Sequence, residues 1–322
     1  MTKDTLNRIA LMFPSLSNQA VEVKDQVTEA PENTNTLSTE ALWQGLSERF
    51  VLAAKKILAP LDNIHVDIMS DLELGPNPDA LPVVQIEVTQ TGDAIKDCTN
   101  WDQTNITSTY VPCQVHRFSV PFKLSSYDLQ RGERVESKIA AAVESACQGV
   151  LKELMDTIED AVDPSYISSF GPAAAAAMSG AFTSDETHVL FANPAAYASI
   201  VPTDKLGLDL TEGAYGINHL HKSAIMPEDT DVLIATKDAI HGAIATPAVL
   251  ENHAGTGMDV RQIGSVNGCP LVLKTQFDWN EQLKCSVEVM AGFVVTREDG
   301  LVRYTIGEEP TPSNFGNGPE EI

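Results

Sequence analysis

The stretch from Arg134 to Val162 constrains this chain more than any other. Ile139, Val143, Ala146, Val150, Leu154, Ile158 and Ala161 follow one another at steps of four, three, four, four, four and three. That spacing places them on one stripe of an α-helix. Lys138, Glu144, Lys152, Glu153, Asp156, Glu159 and Asp160 fall on the other faces. These acids read as a solvated surface rather than as paired catalytic carboxylates. A helix of about 29 residues, at 1.5 Å per residue, is about 43 Å long, well beyond the mean of about 11–12 residues for globular helices. Pro164 stops it. Ser125-Ser126-Tyr127-Asp128, just ahead, resembles a capping box and predicts a short helical turn first. The stripe is wider than a coiled-coil seam and fits packing on a sheet. Ile139, Val143, Val150, Leu154 and Ile158 are therefore the expected core residues of the helix.

A sheet for it to lie on is legible on both sides. Val84, Ile86 and Val88 alternate with Gln85, Glu87 and Thr89, and Phe118, Val120, Phe122 and Leu124 alternate with Arg117, Ser119, Pro121 and Lys123. Strict period-two patterning predicts strands with one face covered. Between them Thr91–Thr107 is polar and longer than connections usually are. Pro112 and Pro121 suit edge strands, so Val83–Leu124 reads as a hairpin projecting from the body, with a hairpin inside a sheet as the plainer reading. Further on, Leu271–Phe277 and Cys285–Val295 read as strands, and Asp299-Gly300 predicts a tight hairpin into Leu301–Ile306.

Other segments are read more simply. Thr28–Thr39 is a polar linker. Leu42, Leu46, Phe50, Ala53 and Ile57 predict an arm helix ended by Pro60. Over 166–235 helix and strand signals alternate. Pro172 opens an alanine-rich helix, His188–Ala192 and Asp231–Ala235 are short strands, and Asn193-Pro194 caps a helix over Ala195–Val201. The prolines and glycines of 308–322 predict a disordered tail. No internal repeat is evident.

Charge excludes some functions. The chain has 21 basic and 45 acidic residues, a net charge of −24. The excess is spread over every segment beyond residue 60. This argues against a protein whose main task is gripping nucleic-acid phosphates or a polybasic membrane binder, and it reads as a self-repelling, soluble surface. Apolar runs such as Val289–Val295 are too short to cross a bilayer, and Ile9–Phe13 is too short for a signal-peptide core. Cys98, Cys113, Cys147, Cys269 and Cys285 are dispersed without a CxxC and read as free thiols from a reducing compartment, although Cys98 and Cys113 could pair across the hairpin.

The motif search is mostly negative. The sequence has no GxGxxG, no P-loop and no GxSxG elbow. Gly264-Ser265-Val266-Asn267-Gly268 reads as a turn. His219 and His221 share a strand face and His241 could join them on a metal, but ordinary polar positions are the expected reading. No cofactor and no catalytic residue are expected.

The order of elements resembles the major capsid protein of tailed double-stranded DNA bacteriophages, the Hong Kong 97-like α+β fold. Residues 1–60 resemble the N-terminal arm and 61–124 the extended β-hairpin loop. Residues 125–165 and 236–308 resemble the peripheral domain with its spine helix. Residues 166–235 resemble the axial domain. The resemblance implies a structural protein, not an enzyme, that self-assembles as hexamers and pentamers into an icosahedral shell around double-stranded DNA, without sequence-specific binding and without a membrane. It implies localisation in the virion after assembly in the host cytoplasm, with portal and decoration proteins as possible partners. Only about 40 polar residues precede the arm helix, so a separate scaffolding protein is expected. The tip residues Asp93, Lys96, Asp97, Asn100, Trp101 and Asp102 are the implied subunit interface. Lys96 and Asn280 are the pair suggestive of the cross-link some relatives form. An encapsulin-type nanocompartment would share these features. A soluble α/β enzyme and a phage tail or decoration protein are the remaining alternatives.

Overall fold

Helix α1 (Thr39–Leu58) is the first described element of the chain. Among its described side chains Phe50, Ala54 and Leu58 are buried, a strict four-residue repeat, while Ala53 and Ile57 are half-buried. The stripe thus runs one residue later than the spacing predicts over this stretch. Pro60 cannot donate to the preceding turn, and the chain tightens into a 3-10 turn over Ala59–Asn63. The computed structural model describes residues 39–69, 83–91, 106–125, 127–128, 132–180, 182, 187–200, 216–245, 258–266, 268–278 and 282–307. Two compact units emerge: Met1–Ile158 with Asp238–Arg297, and Glu159–Lys237 with Glu298–Ile322.

The first unit is built on a six-stranded sheet. Its strands are β1 (His65–Met69), β4 (His116–Leu124), β9 (Ile240–Ala245), β10 (Met258–Val266), β11 (Cys269–Asp278) and β12 (Gln282–Val295). The fourteen-residue β12 is its centre. It pairs antiparallel with β11 over 282–288, with β9 over 290–295 and with β4 over 283–291. Strand β1 runs parallel beside β9. A separate two-stranded sheet joins β2 (Val83–Thr91) to β3 (Ile106–Gln114).

Helix α2 (Gly132–Ala161) is the 30-residue element that the periodicity predicts. It buries Ile139, Val143, Val150, Leu154 and Ile158, together with Val135, Ala142, Ala146, Cys147, Leu151 and Met155. Its direction is fixed by contacts along β4. Lys138 Nζ donates to the Lys123 carbonyl, Gly149 meets Phe118, and Glu153 lies 3.5 Å from His116. Residue numbers rise on the helix as they fall on the strand, so the two run antiparallel. A Cβ on Gly149 would stand 3.0 Å from the Phe118 ring, so glycine lets the helix settle close. The capping box forms as expected. Ser125 N–H and Oγ donate to Asp128 Oδ2 at 3.0 and 2.7 Å, and Asp128 N–H donates back to Ser125 Oγ at 3.2 Å.

Helix α1 rests on β10. A Cβ on Gly264 would fall 2.1 Å from Val51 Cγ2. This corrects the turn read over Gly264–Gly268: Gly264, Ser265 and Val266 belong to β10, and only two residues separate Val266 from its partner Cys269. Gly268 takes φ 78° there, a conformation glycine adopts without strain.

The second unit holds a five-stranded sheet in the order β5 (Pro164–Ile167), β13 (Leu301–Ile306), β8 (Val232–Thr236), β6 (His188–Ala192), β7 (His219–Lys222). Every residue of β6 and β8 is buried, the continuous pattern of strands covered on both faces. Helices α3 (Pro172–Ser179) and α4 (Pro194–Ile200) supply part of that cover, with Ala175, Met178, Ala196 and Ile200 in one core with Leu190, Val232 and Ile234. Asn193 caps α4, its Oδ1 accepting from Ala196 N–H at 2.8 Å.

Three expected boundaries move. Phe118–Leu124 is not an arm of the hairpin but strand β4 in the main sheet, because its apolar face is needed under α2. At the other end, His65–Met69 joins the same sheet as β1, so the hairpin is Val83–Gln114 rather than all of 61–124. Leu301–Ile306 does not fold back on β12. It pairs with β8 and β5 in the second unit, and Glu298–Gly300 is a 3-10 turn. Leu301 and Arg303 are its buried positions, and the second sheet is where they find cover.

Arg303 is 3% exposed, and its sequence context marks it as nothing special. Its Nε donates to Thr230 Oγ1 at 2.9 Å and its Nη2 to the Glu228 carbonyl at 2.7 Å. Its Nη1 donates to the carbonyls of Glu159 and Val162 at 3.0 and 2.6 Å. Those two carbonyls close the C-terminal end of α2, where backbone acceptors lack helical donors. The last turn of α2 has no basic residue of its own, so β13 supplies the cation that the helix dipole favours. Burial lowers the arginine's pKa, and Glu159, Asp163 and Asp229 oppose that.

Candidate assembly surface

The β2–β3 ribbon has two unlike faces. Register pairs Val84 with Cys113, Ile86 with Val111 and Val88 with Thr109. Val84, Ile86, Val88 and Cys113 are buried in one core with Val115, Ala243, Ala245 and Met290. The base of the hairpin therefore lies on its own sheet. The crossing from β3 to β4 passes tightly over β12, where a Cβ on Gly292 would stand 2.1 Å from the Gln114 carbonyl oxygen. Only glycine fits at that position.

The opposite face has no such cover. Val83, Ile106 and Tyr110 share it by strand alternation and are 59, 61 and 64% exposed. Leu52 and Tyr127 are the other exposed large hydrophobics among the described residues, and Tyr127 is less open than these three. Glu87 is the single charged residue in the eighteen of β2 and β3. In a chain of net charge −24, this is a long charge-poor surface. A ribbon of two strands also leaves backbone donors and acceptors open along both edges.

The expected tip residues Asp93, Lys96, Asp97, Asn100, Trp101 and Asp102 lie outside the described residues, as do Cys98 and Asn280. The cross-link and the Cys98–Cys113 pairing therefore have no geometry here. Cys113 is buried, and burial pushes its thiol up to about 11. The histidines separate: His219 and His221 lie on β7 in the second unit, and His241 on β9 in the first. His221 stacks on Phe191 at 5.5 Å and His241 on His65 at 4.6 Å between ring centroids. Among the described residues no group of three or more His, Cys, Asp or Glu could hold a metal. No described helix is long and apolar enough to cross a membrane.

One serine–histidine contact escapes sequence reading because 9 residues separate its members. Ser179 Oγ lies 3.0 Å from His188 Nδ1, and it donates to the Gly216 carbonyl at 2.8 Å. Both residues are buried. In a catalytic triad the serine meets one ring nitrogen and a carboxylate holds the other. Here Nδ1 faces both Ser179 and the Gly216 carbonyl, while Nε2 is buried without a partner. The arrangement is a packed polar contact rather than an activated nucleophile.

No family model and no curated protein matches the chain. Among solved structures it is similar to a virus-like particle from Pyrococcus furiosus, with a TM-score of 0.48 and 13% identity over 80% of this chain and 98% of that one. It is also similar to the capsid of Ralstonia phage GP4, with a TM-score of 0.45 and 10% identity over 78% and 92%. A third similarity is to the holo-SrpI encapsulin complex from Synechococcus elongatus PCC 7942, with a TM-score of 0.46 and 14% identity over 89% and 94%.

Proposed function

We propose that this chain is a shell-forming structural protein, the major capsid protein of a double-stranded DNA phage. It assembles through hexamers and pentamers into a closed icosahedral particle in the host cytoplasm and resides in the virion. The observation that carries this reading is the outer face of the β2–β3 ribbon. Val83, Ile106 and Tyr110 stand exposed there on a surface with one charge, in a chain of net charge −24. A two-stranded ribbon is marginal in water on its own. Its inner face is held by the subunit, and a neighbouring copy covers the outer one. Interface cores are depleted in charge and enriched in aromatic residues, which suits this face. The tip beyond Thr91, with Trp101 as its large anchor and Asp93, Lys96, Asp97, Asn100 and Asp102 around it, continues onto that neighbour.

The rest of the chain fits the same role. A 30-residue helix on a sheet is a long, stiff element, and the −24 charge keeps packaged DNA from adhering to the wall. The partners expected for such a shell are a separate scaffolding protein, a portal and decoration proteins.

The test is the Ile106→Asp, Tyr110→Asp double variant, compared with wild type by mass photometry. The variant stays as folded subunits at concentrations where wild type assembles. Assembly of both at the same concentration removes the ribbon face from the account. An encapsulin reading is separated by the contents of the particle, protein cargo against nucleic acid.

A further inference from the structure

Ser179, His188 and Gly216 form a polar cluster inside the second unit. Ser179 ends α3, His188 opens β6, and Gly216 lies just ahead of β7. Gly216 takes φ 74°, and a Cβ there would stand 2.6 Å from Ser179 Oγ, so glycine is what brings its carbonyl this close. The approach to β7 is pinned twice more. His188 N–H donates to Asn218 Oδ1 at 2.8 Å, and Asn218 N–H donates to the His188 carbonyl at 2.9 Å.

These bonds fix the tautomer of the ring. The one hydroxyl proton of Ser179 goes to the Gly216 carbonyl at 2.8 Å. Ser179 Oγ, 3.0 Å from His188 Nδ1, therefore accepts, and the Gly216 carbonyl, 3.1 Å from the same nitrogen, can only accept. Nδ1 carries the proton and Nε2 is bare. Nε2 is buried without a partner among the described residues, and so is Oγ1 of Thr236, which register sets directly opposite His188 on β8. The two side chains are 6% and 1% exposed. A second proton on the ring goes to Nε2 and adds a charge and a donor at that spot. Among the described residues no carboxylate meets it. Helix α3 and strand β8 have no titratable side chain. The Phe182 ring lies 5.1 Å from the imidazole between centroids. Tyr197 and Tyr304 are the titratable groups packed on the same core. His219 and His221 of β7 stand beside Val189 and Phe191, on the other face of the sheet. A buried charge without a partner costs far more than a buried neutral ring.

We propose that His188 is a proton-operated latch: neutral, it ties α3, β6 and the approach to β7 together, and protonated, it releases them. The inference does not depend on the shell reading. In the opened unit water accepts from Nε2–H, so acid favours the open form, which takes up a proton that the closed form has no partner for.

The test is amide hydrogen exchange of the full-length protein at about pH 7.5 and about pH 5, corrected for the intrinsic effect of pH. In wild type, amides of β6 and β7 such as Leu190 and Leu220 open about tenfold more often at the lower pH. His188→Gln cannot take the charge and loses that difference, while His219→Gln and His221→Gln keep it. A second readout needs no variant. Hydrogen exchange at the C2 position of the His188 ring follows its charge, and the ring charges only as β6 opens. Equal opening of the wild-type amides at the two pH values overturns the inference, as does an unchanged pH dependence in His188→Gln. A ring that is charged while β6 stays closed overturns it too. So does tighter protection in acid, the sign expected if a carboxylate received the charge.

Discussion

Replacing Arg303 with methionine tests how the C-terminal end of α2 is held. The guanidinium makes four hydrogen bonds from a site that is 3% exposed. Methionine fills similar volume and donates nothing. The carbonyls of Glu159, Val162 and Glu228 then lose this donor, and Thr230 Oγ1 loses a donor as well. An unsatisfied buried group costs about 1–3 kcal/mol. The three carbonyl contacts are only partly buried, so the lower end applies to each of them. Loss of a cation at a helix C-terminus adds about 0.3–1 kcal/mol. Against this, the variant no longer buries a charge, which removes a desolvation cost. The balance is a loss of about 3 kcal/mol, confined to the second unit. Hydrogen exchange reads it locally: amides of β8, such as Leu233 and Ile234, exchange about 150-fold faster, while those of β12, such as Val287 and Val289, do not change. Arg303→Lys keeps the charge but not the planar fork and recovers less than half of the loss. A methionine variant whose β8 amides exchange at the wild-type rate would refute the claim that Arg303 ties α2 to the loop at Glu228–Thr230.

Three further outcomes follow from the same geometry. Val150 is fully buried on α2, so Val150→Asp places an unpaired carboxylate in the core at a cost of several kcal/mol; the protein is recovered insoluble, and soluble assembled variant would show that the inner face is misassigned. Asp128 accepts from Lys138 Nζ at 2.8 Å and from Ser125, and the Lys138 hydrogen bond leads in holding its carboxyl well below the usual range. A lowered folded pKa means stability that is present above the ordinary value of about 3.9 and lost as pH falls toward the folded value; acid titration of stability shows this loss in wild type and less of it in Asp128→Asn. Burial pushes the thiols of Cys147 and Cys285 up to about 12 and that of Cys113 up to about 11, so all three resist iodoacetamide at neutral pH in the folded protein and react in urea; labelling of any of them in native protein contradicts the packing of α2 and the ribbon on the sheet.

What the sequence conveys is local, and the misreadings come from non-local competition. The stripe from Ile139 to Ile158 is visible because a long helix with one buried face repeats its signal many times. The Ser125–Asp128 box is visible because its partners are three residues apart. Phe118–Leu124 shows its period clearly, but period two says only that one face is covered. It does not say whether a hairpin partner or a helix covers it. The Asp299-Gly300 signal misleads because turn chemistry yields to the burial of Leu301 and Arg303 in the second sheet. Asn267-Gly268, between the paired Val266 and Cys269, was the stronger hairpin signal. The glycines on either side, Gly264 and Gly268, give the same stretch the composition of a loop. Strand β9 is buried throughout, so it carries no alternation to detect, and the alternation of β1, from His65 to Ile68, is too short to stand out. Arg303 and the Ser179–His188 contact depend on residues far apart in the chain.

The central claim is that this chain builds closed particles through contacts between its own copies. Negative-stain micrographs of the purified full-length protein, taken across a range of protein concentrations with and without an added scaffolding partner, test it most directly. The account predicts rings of five and six subunits and closed shells. A uniform field of separate 34.7 kDa subunits under every condition contradicts it.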